Sequence, residues 1–471
     1  MQAKNIYMIG IKGVGMTALA IYLKQMGCEV TGSDTAEVFV TDNLLKENNI
    51  LFHSQFDEKN LHTLKYDLII ISAAYDDSNV EVSEAFRRKM NTKYYSEVLG
   101  EITSGKKTIA VAGVHGKTTT TAMLALMLEE GKLDPSFIIG SGEVPNFHSN
   151  ARKGEGDYFV LEADEYRKSP KDNTPKFLDL SPEIAIISSI ELDHPDIFPS
   201  IEDIYAAFYS LACRVPRRGS IVLCLDYPKA KKLIRSIVDR NFETYGFDPS
   251  SKWRIVNTKQ EDDKNVFSVE SMGTVYGPFK MKLPGNHNIL NAVAALIVAL
   301  KIGVSEQTIK DALDKFQSVK RRFEIIGEAG NIVIVDDYAH HPTAIIRTLE
   351  AAKRKYADKK VWCVFQPHTF SRTEKLLEEF SASFKVADQV IIMDIFASKR
   401  EEQGKITSED LVEKIKKTQS KVRYIKSADE VNDFLVKNVK GPSVILTIGA
   451  GNIYELGKKL LSSLKEREEI E

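Results

Sequence analysis

The chain has few of the features that would place a protein in a membrane or on nucleic acid. Its longest apolar runs, such as 68–74 and Ile184–Ile187, have the length of strands and are far too short to cross a bilayer. The formal net charge is only −2, so no strong electrostatic field favours nucleic acid or an anionic membrane surface. We therefore expect no nucleic-acid partner and no membrane insertion.

Cysteine is scarce, and internal repeats are absent. The four cysteines lie far apart, without the spacing of a metal site or of a disulfide framework: Cys28, Cys213, Cys224, Cys363. An apolar strand is predicted directly after Lys4, which leaves no room for a signal peptide. These features predict reduced thiols and a cytoplasmic location.

What is present is a regular alternation of apolar strands and amphipathic helices over 471 residues, enough for about three domains. This alternation is typical of an α/β fold with parallel sheets and covering helices. A polar stretch at 104–107 gives the first boundary, and alternation resumes near Arg322. We predict domains at 1–104, 105–321 and 322–471, in a monomer or a homodimer.

The most informative stretch is 109–121, which reads Ile-Ala-Val-Ala-Gly-Val-His-Gly-Lys-Thr-Thr-Thr-Thr. An apolar strand ends at Gly113, and a helix is predicted to open at Ala122. A glycine loop between a strand and a helix N-terminus directs backbone N–H groups at an anion. Lys117 would neutralise the β- and γ-phosphates, and the Thr118 hydroxyl would ligate Mg²⁺. The loop is shorter than the common P-loop, but it still predicts a site for ATP.

A second glycine turn follows the first strand. Gly10 ends the strand, and Gly13 and Gly15 would let the backbone approach a diphosphate at a helix N-terminus. Asp34 closes the next strand, where a carboxylate can accept a ribose hydroxyl. The order Gly-x-x-Gly-x-Gly differs from the dinucleotide pattern and disfavours NAD. A diphosphate site is therefore predicted, with a purely structural turn as the alternative.

Carboxylates and a histidine follow two strands of the middle segment. Glu162 ends the strand that begins at Tyr158, and His194 comes soon after Ile184–Ile187. We predict that these strands are adjacent and parallel, so that both side chains reach the ATP site as ligands of Mg²⁺. Either motif taken alone is also compatible with a solvated loop.

An asparagine-rich segment opens a predicted helix after Asn286. The Asn288 amide offers both a donor and an acceptor, so it could recognise an adenine edge. Capping of the helix by Asn286 or Asn288 explains the same spacing equally well.

The third segment places two histidine motifs after apolar strands, at 336–342 and 366–373. Both motifs should therefore lie at one edge of a sheet. His368 and Arg372 are typical of carboxylate or phosphate binders. His340 and His341 beside Asp337 would suit Zn²⁺, but a third ligand at metal spacing is missing, so zinc is disfavoured.

Taken in order, these motifs resemble those of the Mur ligases over the whole chain. The matching segments are 10–16, 113–119, 162–166, 193–196, 287–291, 322–323, 336–342 and 367–372. The resemblance implies a Rossmann-like N-terminal domain, a P-loop ATPase-like central domain and a Rossmann-like C-terminal domain. A polar stretch at 168–176 departs from the pattern and is predicted to be an extra loop. The segment 206–208 also offers no lysine for the carbamate that some relatives use.

The resemblance also assigns roles to individual residues. Those implied for ATP are Gly113, Val114, His115, Gly116, Lys117, Thr118, Thr119, Asn288, Arg322 and Asp337. Those implied for a UDP-sugar are Gly10, Gly13, Gly15, Met16, Asp34 and Ser72. Those implied for catalysis are Lys117, His194, His340, His368 and Arg372. Those implied for Mg²⁺ are Thr118, Glu162 and His194.

The form of 367–372 resembles the branch of the family that adds L-alanine to UDP-N-acetylmuramate. That branch works in peptidoglycan synthesis. It uses ATP to activate the lactyl carboxylate as an acyl phosphate, which the amine of L-alanine then attacks. The extended stretch at 168–176 points instead to a related branch that recycles murein tripeptide. A dehydrogenase and a P-loop regulator are two further alternatives. Neither explains two phosphate-binding turns together with a carboxylate-binding third segment.

Overall fold

The computed structural model describes residues 3–261, 263–397 and 403–470. The chain forms three α/β units around three large sheets, so the predicted fold class is confirmed. Within the described residues, no helix combines the length and apolar character needed to cross a membrane.

The N-terminal unit is a parallel five-stranded sheet with helices on both faces. Its elements are β1 (Asn5–Ile9), α1 (Val14–Gln25), β2 (Glu29–Ser33), α2 (Asp42–Glu47), β3 (Leu51–His53), β4 (Leu68–Ile71), α3 (Val80–Arg87), β5 (Thr92–Tyr94) and α4 (Tyr95–Thr103). The strand order β3-β2-β1-β4-β5 is that of a doubly wound nucleotide-binding sheet. Its topological switch point lies beside β1, where the first glycine turn begins.

The central unit contains a ten-stranded sheet and a separate hairpin. Its elements are β6 (Lys107–Ala112), α5 (Lys117–Glu130), β7 (Ser136–Ile138), β8 (Ala151–Arg152), β9 (Tyr158–Glu162), β10 (Arg167–Ser169), β11 (Asp172–Pro175), β12 (Ile184–Ile187), α6 (Ile201–Arg214), β13 (Ser220–Cys224), α7 (Pro228–Ser236), β14 (Phe242–Gly246), β15 (Trp253–Glu261), β16 (Lys264–Ser271), β17 (Thr274–Met281), α8 (Asn286–Ile302) and α9 (Glu306–Lys315). The strand order is β17-β16-β15-β14-β13-β12-β6-β9-β7-β8.

The C-terminal unit is a six-stranded sheet in the order β18-β19-β23-β20-β21-β22, in which β18 alone is antiparallel. Its elements are β18 (Glu324–Ala329), β19 (Ile332–Asp337), α10 (Pro342–Lys355), β20 (Lys360–Phe365), α11 (Phe370–Lys375), α12 (Leu377–Ala382), β21 (Gln389–Ile392), α13 (Ser408–Ile415), β22 (Val422–Tyr424), α14 (Ala428–Asn438), β23 (Ser443–Ile448) and α15 (Tyr454–Ile470).

The hydrophobic core runs without a break through the first two units, whereas the third unit has its own cores on the two faces of its sheet. Tyr22 of α1 and Phe159 of β9 are one contact across that shared core, with ring centroids 5.1 Å apart. The N-terminal and central units are therefore packed against one another by apolar burial, which fixes the distance between the two glycine turns.

Several predicted boundaries were wrong. The strand and helix alternation of the first segment predicts a helix over 17–26, but helix α1 begins at Val14, so Gly15 and Met16 lie in its first turn. Helix α5 begins at Lys117 and not at Ala122, because the threonines 118–121 are buried in the core and tertiary packing outweighs their weak helix propensity. The apolar pattern of the third segment predicts one helix over 375–384, but two short helices, α11 and α12, lie here with a break at Leu376.

The stretch 168–176 was also predicted wrongly, as a polar loop. It forms most of the antiparallel hairpin β10-β11, with Arg167 paired to Pro175 and Ser169 paired to Asp172. Its polar side chains gave no alternation of apolar and polar residues, so the strand pattern could not be recognised. The hairpin is held by ion pairs instead of a hydrophobic face.

Candidate functional site

All three units line one cavity of about 470 Å³. Its wall includes Gly15 from the N-terminal unit, Lys117 and Glu162 from the central unit, and His340 and Arg372 from the C-terminal unit. The cavity lies at the carboxyl ends of parallel strands, which is where α/β sheets bind ligands. The residues predicted for three separate substrates are therefore brought to a common space.

The loop after β6 is shaped by two glycines in left-handed conformations. Gly113 has a φ of 128° and Gly116 a φ of 82°. A Cβ on Gly113 would lie 2.2 Å from the Ser188 Oγ, and one on Gly116 would lie 2.1 Å from the Asn291 Oδ1. No other residue fits here, and the loop delivers the chain into α5 with its first N–H groups open to the cavity.

Lys117 is the first residue of α5, and its ammonium lies within the cavity wall. Its Nζ donates to both carboxylate oxygens of Glu165, at 3.0 and 2.9 Å, and to the Gly113 carbonyl at 2.7 Å. Burial opposes the charge of Lys117, but the carboxylates of Glu165 and Asp164 outweigh it and raise the pKa. The side chain is thus a fixed cation beside the glycine loop.

Thr118 and Glu162 form a second contact at the base of the loop. The Thr118 hydroxyl donates to the Glu162 Oε2 at 3.1 Å and accepts from the Arg322 guanidinium at 3.3 Å. Burial raises the pKa of Glu162, although Lys117 opposes that rise. An arginine of the C-terminal unit therefore reaches the phosphate loop of the central unit.

We had predicted that the strands carrying Glu162 and His194 are adjacent, and this prediction is wrong. Strands β9 and β12 flank β6 on opposite sides, so the phosphate loop emerges between them. The connection from β9 to β12, which includes the hairpin β10-β11, crosses β6, so the two strands do not pair with each other. Glu162 and His194 both line the cavity from the two sides of the loop.

Glu165 lies close to His194, and no sequence pattern offered a reason to select it. Oxygen and nitrogen atoms of Glu165, Asp193 and His194 lie within 4.8 Å of one another. Burial lowers the pKa of His194, but the two carboxylates outweigh this effect and raise it. His194 also has a φ of 53°, a strained conformation of the kind that persists at functional sites.

Only part of the first glycine turn lines the cavity. Gly13, Gly15, Met16 and Ser72 line the cavity, together with Val14. Gly10 and Asp34 are absent from that wall. The Asp34 carboxylate accepts from the Lys12 and Thr35 N–H groups, both at distances below 3 Å, and from the Tyr75 hydroxyl at 3.2 Å. Asp34 therefore holds the turn itself together, and its contact with a ribose stays a prediction.

Neither Asn286 nor Asn288 caps the helix, so the alternative of helix capping is wrong, and recognition of an adenine edge by Asn288 stays a prediction. Its amide donates to the Pro284 carbonyl at 2.8 Å and accepts from the Asn291 amide at 3.2 Å. The helix N-cap itself is Gly285, and Asn286 accepts from Arg354. Asn288 nevertheless lines the cavity, beside His287 and Asn291.

The two histidine motifs of the C-terminal unit do meet at one sheet edge, as predicted. The rings of His340 and His368 are 6.1 Å apart, although β23 lies between the strands that they follow. Burial and then the charge of Arg372 hold the pKa of His340 well below its usual range. A neutral ring that donates from Nδ1 to the Tyr338 carbonyl, 2.9 Å away, leaves Nε2 as an acceptor.

Arg372 is buried and spans two units. Its Nε donates to the Asp193 Oδ1 at 2.9 Å, and its Nη1 lies 3.2 Å from the His368 Nδ1. Burial would raise the pKa of Asp193, but Arg372 and the nearby imidazoles hold it well below its usual range. A buried pair of this kind is sensitive to loss of either partner.

The contact of Arg372 with Asp193 is one of three made by consecutive residues after β12. Glu191 accepts from the Thr343 hydroxyl at 2.9 Å, and the Leu192 carbonyl lies 3.0 Å from the His341 Nε2. Glu191 also pairs with His115 of the phosphate loop at 2.9 Å. The segment 191–193 therefore docks the C-terminal unit onto the central one.

The structure does not favour a zinc site at the histidine pair. Among the described residues, the grouped metal-ligating side chains are Glu165, Asp193 and His194, and they include neither His340 nor His341. Asp337 is used by the backbone, since its carboxylate accepts from the Phe323 and Ala339 N–H groups, each at 2.8 Å.

Comparison with known proteins agrees with this geometry. Family models match in three parts: "Mur ligase family, catalytic domain" at residues 5–107, "Mur ligase middle domain" at 111–299 and "Mur ligase, glutamate ligase domain" at 321–451. A relative from Desulfitobacterium hafniense, named UDP-N-acetylmuramate–L-alanine ligase, is 41% identical over 97% of this chain and 99% of its own.

Two solved structures are also similar over nearly the whole chain. The UDP-N-acetylmuramate–alanine ligase of Thermotoga maritima has a TM-score of 0.83 at 25% identity and covers 99% of this chain and 100% of its own. A murein peptide ligase of Psychrobacter arcticus has a TM-score of 0.73 at 26% identity, with 98% and 99% covered. From its three matched parts and its full-length relatives, the chain belongs to the Mur ligase family.

Proposed function

We propose that this protein joins L-alanine to the lactyl carboxylate of UDP-N-acetylmuramate, with ATP converted to ADP and phosphate, in peptidoglycan synthesis. The observation that carries the proposal is the single cavity in which a phosphate loop, a second glycine turn and the Arg372 cluster meet. A ligation through an acyl phosphate needs these three binding functions within reach of one another. The names of the full-length relatives support the same reaction.

Mur ligases depend on ATP, and the phosphate loop supplies the means to bind it. The N–H groups at the start of α5 and the Lys117 ammonium would hold the β- and γ-phosphates. The lactyl carboxylate attacks the γ-phosphorus, and Lys117 stabilises the negative charge on the oxygens of the transferring group.

The residues present also fit Mg²⁺. Thr118 and Glu162 offer oxygen atoms 3.1 Å apart, and Glu165, Asp193 and His194 offer further donors nearby. Oxygen-rich sets of this kind are what Mg²⁺ prefers beside phosphates. When bound, the cation would neutralise charge on the phosphates. The ligand set that we propose remains Thr118, Glu162 and His194.

The amino acid is proposed to bind at the edge of the C-terminal sheet. Arg372 and His368 would bind its carboxylate, and the neutral His340 would accept an N–H of its amine through Nε2. The amine then attacks the acyl phosphate carbonyl, and the tetrahedral intermediate expels phosphate. The docking contacts at 191–193 would hold this unit against the phosphate loop during attack.

Recycling of murein tripeptide is the second candidate function. The Psychrobacter arcticus structure bears the name murein peptide ligase, and it is as similar in sequence as the alanine ligase structure. Both reactions use the same nucleotide sugar, so only the acceptor separates them. The full-length relatives at up to 41% identity favour L-alanine.

The proposal is tested by identifying the product. Purified protein is incubated with ATP, Mg²⁺, UDP-N-acetylmuramate and L-alanine, and the nucleotide sugar is then analysed by mass spectrometry. We expect the sugar to gain one alanyl residue for each ADP formed. Reactions that lack either the sugar or the amino acid serve as controls. ADP formation at the same rate in those controls would contradict the proposal and favour a simple ATPase.

A further inference from the structure

The hairpin β10-β11 bridges the central and N-terminal units. Lys171 at its turn pairs with Asp77 at 2.6 Å, and Lys168 pairs with Glu97 of α4 at 3.2 Å. Lys168 also pairs with Asp179 at 3.2 Å, just beyond the hairpin. These contacts fix the position at which the chain leaves β11 and returns to the cavity.

That position is occupied by Lys176, which lines the cavity. Its backbone N–H donates to the Tyr166 carbonyl at 2.9 Å, and its Nζ donates to the Asp164 Oδ2 at 2.8 Å. The ammonium also lies 5.4 Å from the centre of the Tyr166 ring. Within the described part of the chain, the Lys176 ammonium donates a hydrogen bond to Asp164 alone. Two of the three N–H groups of the ammonium are therefore available to a ligand.

Lys176 lines the cavity that both anion-binding turns share. Tyr95 touches the first turn, since a Cβ on Gly15 would lie 2.8 Å from its hydroxyl. Tyr95 and Asp164 line the same cavity, and the charge of Asp164 adds to the rise that burial causes in the pKa of Tyr95. Asp164 therefore holds Lys176 at the wall of a space that both turns enter.

A substrate that lies across this gap has a diphosphate at one end and a lactyl carboxylate at the other. The carboxylate must approach ATP, whose phosphates repel it, and after the transfer the acyl phosphate carries its negative charge on the phosphoryl oxygens. Lys117 is already committed to the γ-phosphate, so a second cation on the side of the sugar is needed.

We propose that Lys176 binds the lactyl carboxylate of the nucleotide sugar and holds it for attack on the γ-phosphorus. Asp164 positions the ammonium, and the hairpin positions the lysine backbone. This inference rests on the proposed function, because it names a contact to the same substrate.

The test compares two nucleotide sugars that differ at the lactyl group. Calorimetry measures the Kd of UDP-N-acetylmuramate and of UDP-N-acetylglucosamine for the wild type, Lys176→Met and Lys176→Gln. Lys107→Met is the control, because it removes an exposed lysine of the central unit that lies outside the cavity wall and makes no contact with the hairpin. We expect Lys176→Met and Lys176→Gln to weaken UDP-N-acetylmuramate about tenfold or more and to leave UDP-N-acetylglucosamine within about twofold.

Lys107→Met should leave both affinities unchanged. Unchanged binding of UDP-N-acetylmuramate by a folded Lys176 variant would overturn the inference. Equal weakening of both sugars would also overturn it, since the loss would then come from the diphosphate or the hairpin. Wild-type protein that binds neither sugar would instead contradict the proposed function, so the two failures are distinguishable.

Discussion

Lys117 is the residue that bears most directly on phosphoryl transfer, because its half-buried ammonium lies beside the glycine loop. We expect Lys117→Ala to reduce kcat by about a thousandfold, or about 4 kcal/mol of transition-state stabilisation, while the fold is retained. Phosphate release measures kcat, and circular dichroism checks the fold. Lys107→Ala is the control, since Lys107 begins β6, the strand before the glycine loop, and is exposed. Near-normal turnover of folded Lys117→Ala would contradict the phosphate-loop assignment.

Arg372 tests the amino-acid site at the same scale. Its loss removes the predicted partner of the amino-acid carboxylate, so Arg372→Ala should raise the KM for L-alanine at least about tenfold. The KM for ATP should change far less. Lys375→Ala, on the exposed face of the same helix, should change neither. Arg372→Lys separates the role of charge from that of packing, because the buried Asp193 keeps a cation beside it. Equal rises in both KM values would indicate a purely structural role.

At the scale of elements, the turn between β1 and α1 tests the nucleotide-sugar site. A Cβ at Gly15 would lie 2.8 Å from the Tyr95 hydroxyl, and a larger side chain would also project into the cavity wall. Gly15→Val should therefore weaken UDP-N-acetylmuramate about tenfold or more in calorimetry. ATP affinity of the same variant is the internal control and should be retained. Tight binding of NAD by the wild type, without binding of the sugar, would contradict the assignment.

Elements with a clear apolar pattern could be predicted from the sequence. The strands β1, β6, β9 and β12 were predicted to within a residue or two, because continuous apolar runs between turns leave little choice. The starts of α1 and α5 were predicted too late, since glycine and threonine in their first turns have weak helix propensity. The hairpin β10-β11 carries no apolar alternation, and ion pairs with the N-terminal unit contribute to holding it in place.

At the scale of the whole molecule, the three-domain fold class and the family are confirmed. The domain boundaries at 104/105 and 321/322 stay predictions, as do the roles of the individual site residues. The pairing of Arg372 with Asp193 could not be predicted, because the two residues lie in different units and nothing in either motif specifies its partner. Glu165 was overlooked for a similar reason, since it follows β9 whereas its neighbour His194 follows β12, and these two strands are not adjacent.

The choice of acceptor tests the central claim most directly. Steady-state phosphate release is measured with saturating ATP, Mg²⁺ and UDP-N-acetylmuramate, against L-alanine, glycine, L-serine and the murein tripeptide. A small amino acid adds only about 1 kcal/mol through burial of its methyl group, so discrimination must come from the carboxylate and from pocket size. We predict the highest kcat/KM for L-alanine. A preference for the tripeptide of about tenfold or more, equivalent to about 1.4 kcal/mol, would contradict the claim and identify a recycling ligase.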